Sequence, residues 1–191
     1  MLVRNAVRAA LVAVLATLTL LTGQAMAAPA QAPHQAQAQA ADPVVLTYDA
    51  GESAEFADAV DSGAKVWNES VTSVRLEPAK EGEQANIRIV ADDGWPRTVT
   101  TSLGNGTVYM GREAVDEGHN VVRIASHELG HILGLPDVKP GPCSSLMSGA
   151  SAGTSCTNTN PDDSEKAAVE DAFANGAAAE HDHRGTLVYQ D

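Results

Sequence analysis

The chain has 191 residues, with 25 acidic side chains against 12 basic ones and a formal net charge of −13. That length is enough for one domain with a real hydrophobic core. The acidic balance argues against nucleic acid or an anionic membrane surface as a partner and for solubility outside the cell.

The first stretch reads as a secretory signal peptide over residues 1–27. Arg4 and Arg8 form a positive head, Ala9 to Leu21 an apolar centre, and Ala25-Met26-Ala27 a cleavage site. The apolar run is short for a membrane span, so no membrane association is expected after cleavage. Removing Arg4 and Arg8 leaves 10 basic and 25 acidic residues, or −15. Residues 28–42 are rich in Ala, Gln and Pro and offer no apolar face to bury; they read as a low-complexity leader or short pro-segment. His34 within it is read as incidental. The folded domain is expected over residues 43–176.

Val44 to Tyr48 is apolar and β-branched, a strand. From Ser53 to Ser70, the residues Phe56, Val60, Ala64, Trp67 and Val71 recur at helical spacing, with Ser53 as N-cap. Trp67 is expected in the core. Further strands are expected over Val74–Leu76, Asn86–Val90, Thr98–Leu103 and Thr107–Met110, with Gly104-Asn105-Gly106 as a tight turn. A second long helix runs from near Asn120 to Leu133, and a third over Glu165–Ala174 before Gly176. The acidic pairs Asp92-Asp93 and Asp162-Asp163 can hold calcium, although neither has calcium-loop spacing; solvated surface charge is the simpler reading.

The chemistry is concentrated in Ser126-His127-Glu128-Leu129-Gly130-His131-Ile132-Leu133-Gly134-Leu135-Pro136-Asp137. His127 and His131 stand four apart, on one face of a helix, where two imidazoles can grip one metal ion. Glu128 is placed to act on a water at that ion as general base. A catalytic zinc site generally has three protein ligands and one open position. Gly134 can take a positive φ and end the helix, Pro136 discourages its resumption, and Asp137 can then swing back as third ligand. A surface helix that carries His and Glu by chance is the bland alternative. Cys143 and Cys156 are the only cysteines, and in an exported protein such a pair is expected to form one disulfide. Residues 177–191 read as a flexible tail, in which His181 and His183 are either a second metal site or solvent-exposed.

His127-Glu128-x-x-His131-x-x-Gly134-x-x-Asp137 followed by Leu146-Met147-Ser148 resembles the metzincin zinc proteases. With Asp137 in place of a third histidine, and with Gly-Pro-Cys143 and Ser-Cys156-Thr-Asn, the chain is similar to the snapalysin family of small secreted neutral metalloproteases over most of residues 43–176. The resemblance implies an α/β (α+β) single-domain fold, with a twisted, mostly parallel sheet, an active-site helix and a C-terminal helix. It further implies a zinc endopeptidase acting on protein or peptide substrates, with an aromatic residue favoured just after the scissile bond. It implies one catalytic Zn2+ on His127, His131 and Asp137, a structural Ca2+, a Cys143–Cys156 disulfide, and Met147 as a structural floor that is not a ligand. A monomer is the expected state. In two places the chain departs from the family: residues 177–191 extend beyond the usual end, and a tyrosine shortly after the ligand aspartate, suggested to assist at the oxyanion, is replaced by Val138, Lys139 and Pro140. A secreted zinc-containing binding protein that has lost catalysis is therefore the alternative reading.

Overall fold

A computed structural model describes residues 42–174 and 186–190. The signal-like segment, the Ala/Gln/Pro stretch up to residue 41, and His34, His181 and His183 lie outside the described residues. The strands are β1 (Val44–Glu52), β2 (Val74–Pro78), β3 (Ile87–Asp92), β4 (Arg97–Ser102), β5 (Asn105–Gly111) and β6 (Leu187–Gln190). The α-helices are α1 (Ala57–Ser70), α2 (Arg112–Asp116), α3 (Val121–Ile132) and α4 (Asp163–Phe173). Short 3₁₀ segments cover Ala54–Phe56 and Leu146–Ala152.

The six strands form one sheet in the order β2-β1-β3-β5-β4-β6. The pairs β1/β2, β1/β3 and β3/β5 are parallel, whereas β4 runs antiparallel to both β5 and β6. The mostly parallel α/β sheet implied by the family resemblance is therefore the one observed. Leu46 and Tyr48 of β1, Val74 and Leu76 of β2, and Ile87 and Ile89 of β3 alternate into the core, as the two-residue period of a strand requires.

Helix α1 turns Val60, Gly63, Ala64 and Trp67 inward, a single face at helical spacing. Gly63 lets it approach α3 closely: a Cβ there would stand 3.0 Å from the Ser126 amide nitrogen. Trp67 is 1% exposed and its indole N–H donates to the Ser126 carbonyl at 2.8 Å, so α1 and α3 are joined by both packing and a hydrogen bond.

Three local expectations need correction. Ser53 does not cap α1. Its hydroxyl donates back to the Ala50 carbonyl at 2.7 Å, and a 3₁₀ turn intervenes before the helix begins at Ala57. The β4–β5 connection turns at Leu103-Gly104, with Gly104 at φ +76°, and Asn105 already belongs to β5. Within residues 177–191, read as a flexible tail, Leu187–Gln190 forms a strand paired with β4, an interaction between segments about 90 positions apart that local periodicity does not encode.

Candidate active site

Helix α3 carries the His-Glu-x-x-His pattern. Its start is fixed by Asn120, whose side-chain oxygen accepts from the Arg123 amide at 2.9 Å. Its end is fixed by Gly134 at φ +96°. There the Gly134 amide donates to His131 O and the Leu135 amide to Gly130 O, both at 3.0 Å, which is the paired closure of a Schellman motif. The same turn brings the Leu135 carbonyl back to His131 Nδ1, at 2.7 Å.

His127 is held in the same way from another segment: its Nδ1 lies 3.1 Å from the Leu146 carbonyl. A carbonyl accepts and never donates, so each Nδ1 carries the ring proton and each Nε2 presents a lone pair. Those two Nε2 atoms are 3.1 Å apart, and Asp137 Oδ1 stands 3.3 Å from one and 3.5 Å from the other. Three acceptor atoms thus converge on one point, which is repulsive without a cation between them. Ligands about 2.0 Å from a tetrahedral zinc are separated by roughly 3.3 Å, so the spacing fits that ion. Among the described residues, these three are the one group of His, Cys, Asp and Glu so arranged.

The electrostatics run the same way. Burial pushes the His131 pKa down, with the Asp137 carboxylate opposing it in part. Burial alone would raise Asp137, but the two imidazoles and the Lys139 ammonium that face it outweigh burial and hold the carboxyl well below its ordinary range. Lys139 Nζ lies 3.2 Å from Asp137 Oδ1.

Glu128 is fully buried beside the two histidines. Thr98 of β4 places it: the threonine hydroxyl is 2.6 Å from Glu128 Oε2 and 3.1 Å from the Glu128 carbonyl. The Leu146–Ala152 segment is held from two sides. Glu165 accepts from the Ser145 hydroxyl (2.6 Å) and the Met147 amide (2.8 Å) on one oxygen, and from the Leu146 (3.1 Å) and Asp162 (2.7 Å) amides on the other. Arg123 donates to the carbonyls of Ser145, Leu146 and Asn158 and to the Ser148 hydroxyl. Met147 is completely buried, against the spot where a side chain at Gly130 would sit. Cys143 and Cys156 form a disulfide beside this segment.

Thr98, Arg123 and Glu165 were not singled out from sequence. Asp162-x-x-Glu165 is a capping-box pattern, and both of its hydrogen bonds are present at the start of α4, so that signal was legible. The second task of Glu165, gripping the loop 18 to 20 residues upstream, was not. The acidic pairs considered for calcium are otherwise engaged. Asp92 pairs with Arg97, Asp93 with Arg112 and Asp163 with Lys166, and Asp162 caps α4. Calcium gains no support from them.

A helix-borne His-Glu-x-x-His followed by a glycine turn and a third donor, packed against a twisted sheet, is an arrangement of the metzincin type. Residues 43–176 match the model of the Streptomyces extracellular neutral proteinase (M7) family, and the chain belongs to that family. It is 40% identical over 149 residues to the extracellular small neutral protease of Streptomyces coelicolor, covering 75% of this chain and 67% of that protein. The protein of the same description from Streptomyces sp. (strain C5) is 36% identical, with 77% and 66% covered. That from Streptomyces caespitosus is 35% identical, with 70% of this chain and 99% of that protein covered. The match therefore spans about two thirds of the length of the first two relatives and nearly all of the third.

Proposed function

We propose that this protein is a secreted zinc-dependent endopeptidase that hydrolyses peptide bonds in extracellular proteins. The observation that carries the reading is the convergence of His127 Nε2, His131 Nε2 and Asp137 Oδ1 within 3.1–3.5 Å of one another, with Glu128 alongside, in a chain of the M7 family. Those three atoms would hold the zinc. When bound, zinc supplies Lewis acidity, polarising the scissile carbonyl and making water a stronger nucleophile at neutral pH. Glu128 takes the proton from the attacking water and passes it to the leaving nitrogen. The Thr98 hydroxyl fixes the Glu128 carboxylate for that transfer. The carbonyls of Leu135 and Leu146 hold the two rings in the tautomer that presents Nε2. Asp137 brings a negative charge that a histidine ligand would not, which tempers the electrophilicity of the site. By likeness to the family, an aromatic residue is favoured just after the scissile bond.

The test is casein hydrolysis by the purified protein, before and after a zinc chelator and again after zinc is restored. Activity should vanish and return. Glu128→Gln should retain one zinc and lose about a hundredfold or more in kcat, the usual contribution of a positioned general base. Full activity in that variant would remove Glu128 from the mechanism. The alternative, a zinc-containing binder without catalysis, draws on Val138-Lys139-Pro140, which by likeness to the family stand where a tyrosine is expected. It predicts one bound zinc and no hydrolysis.

A further inference from the structure

We propose that Leu187–Gln190 is an intramolecular stand-in for a peptide substrate: it occupies the β4 edge across the candidate site, and substrate gains entry only when this strand leaves. The proposal rests on the endopeptidase reading above.

Without β6, β4 would be the outer strand of the sheet, with a row of open N–H and C=O groups. Such an edge accepts an extended peptide by strand addition. The β6 strand fills it antiparallel, pairing Arg97 with Gln190, Thr98 with Tyr189, Val99 with Val188 and Thr100 with Leu187. This edge leads directly to the chemistry. Thr98 holds the Glu128 carboxylate, and Tyr189, opposite Thr98, lays its ring flat on His131 with centroids 4.2 Å apart and planes 9° apart. The next residue is fastened as well: the Gln190 carbonyl accepts from Lys139 Nζ at 3.1 Å, and that ammonium also meets Asp137. A peptide lying on β4 is thus carried past Glu128, His131 and Asp137 in turn.

Two further observations make the strand a plug. With it in place, Glu128 is 0% exposed and both histidines 1%, and the Tyr189 ring covers one face of His131. Yet β6 is weakly anchored. It is four residues long, and Leu187 and Val188 remain 45% and 63% exposed, so little apolar surface is lost when it departs.

The test uses the full chain. Tyr189→Ala removes the ring from His131 and should raise kcat/KM for a short peptide about tenfold, chiefly through KM, because a larger fraction of molecules is open. Val99→Cys with Val188→Cys locks the strand in place. The oxidised form should lose at least about tenfold of the wild-type rate and regain it on reduction with a phosphine, with wild type treated alike. Wild-type rates in both Tyr189→Ala and the oxidised double variant would overturn the proposal. If no form hydrolyses peptide, the endopeptidase reading has failed, and binding decides the plug separately. A free Thr-Leu-Val-Tyr-Gln peptide, titrated calorimetrically, should bind Tyr189→Ala and slow hydrogen exchange in Arg97–Thr100. No binding would overturn the proposal.

Discussion

The Glu165 carboxylate supports the candidate site from a distance, and the cost of disabling it can be worked from its four hydrogen bonds. In Glu165→Gln the shape is kept, but one oxygen becomes an NH2 group. Each oxygen of the carboxylate accepts from two donors, so in either orientation of the amide two donors face another donor. The better orientation puts the NH2 beside Ser145, whose hydroxyl can rotate to accept; the Met147 amide then loses its acceptor. One buried amide left unpaired costs about 1–3 kcal/mol, and the surviving bonds lose their charge assistance. A total of about 3 kcal/mol follows, which for a chain of this size lowers Tm by roughly 6–12 °C. The measurement is thermal unfolding of the metal-free protein, so that zinc release does not add to the shift. A second consequence is local. The Leu146 carbonyl that this loop presents is the partner of His127 Nδ1, so zinc affinity should fall about tenfold or more, as when other outer partners of a ligating histidine are disturbed. A Tm within about 1 °C of wild type would refute the reasoning and mean that the carboxylate contributes nothing beyond an amide there.

Three other outcomes are expected. Thr98→Val keeps the shape of β4 and removes the hydroxyl that fixes Glu128; kcat should fall about tenfold while zinc content stays at one, and an unchanged kcat would deny Thr98 its positioning role. Replacing Cys143 and Cys156 together by serine opens a loop with a sequence separation of 13 and should cost about 3 kcal/mol in urea unfolding; a loss below about 1 kcal/mol would mean the segment is held by Arg123 and Glu165 alone. The Arg112 guanidinium, through its hydrogen bonds, holds the Glu55 carboxyl down at about 2. Since the folded value is the lower one, the stabilisation is complete above the ordinary carboxylate value of 4.5 and disappears as the pH falls toward about 2. Arg112→Met should flatten that part of the acid-unfolding curve of the metal-free protein, and an unaltered curve would show that the pair does not contribute.

The candidate donors and base were legible because their geometry is local. A helix puts His127, Glu128 and His131 within one turn of one another, and Gly134 with Pro136 specifies the reversal that returns Asp137. Long-period helices such as α1 were legible for the same reason, since Val60, Ala64 and Trp67 mark one face of a repeating coil. What lay beyond reach of the sequence is set by contacts between distant segments. Ser53 looked like a cap, yet the intervening 3₁₀ turn gave its hydroxyl a nearer partner at Ala50. Thr98 reaches Glu128 across 30 positions, and Glu165 reaches Met147 across 18. Tyr189 meets His131 because β6 pairs along β4, with Tyr189 opposite Thr98. Local periodicity determined which residues share a helix face and which turn can follow it, because backbone geometry repeats over a few residues. Only the tertiary fold decided which carbonyl holds each imidazole, which hydroxyl meets Glu128 and which strand pairs with β4, because those hydrogen bonds exist only once the distant segments have packed together.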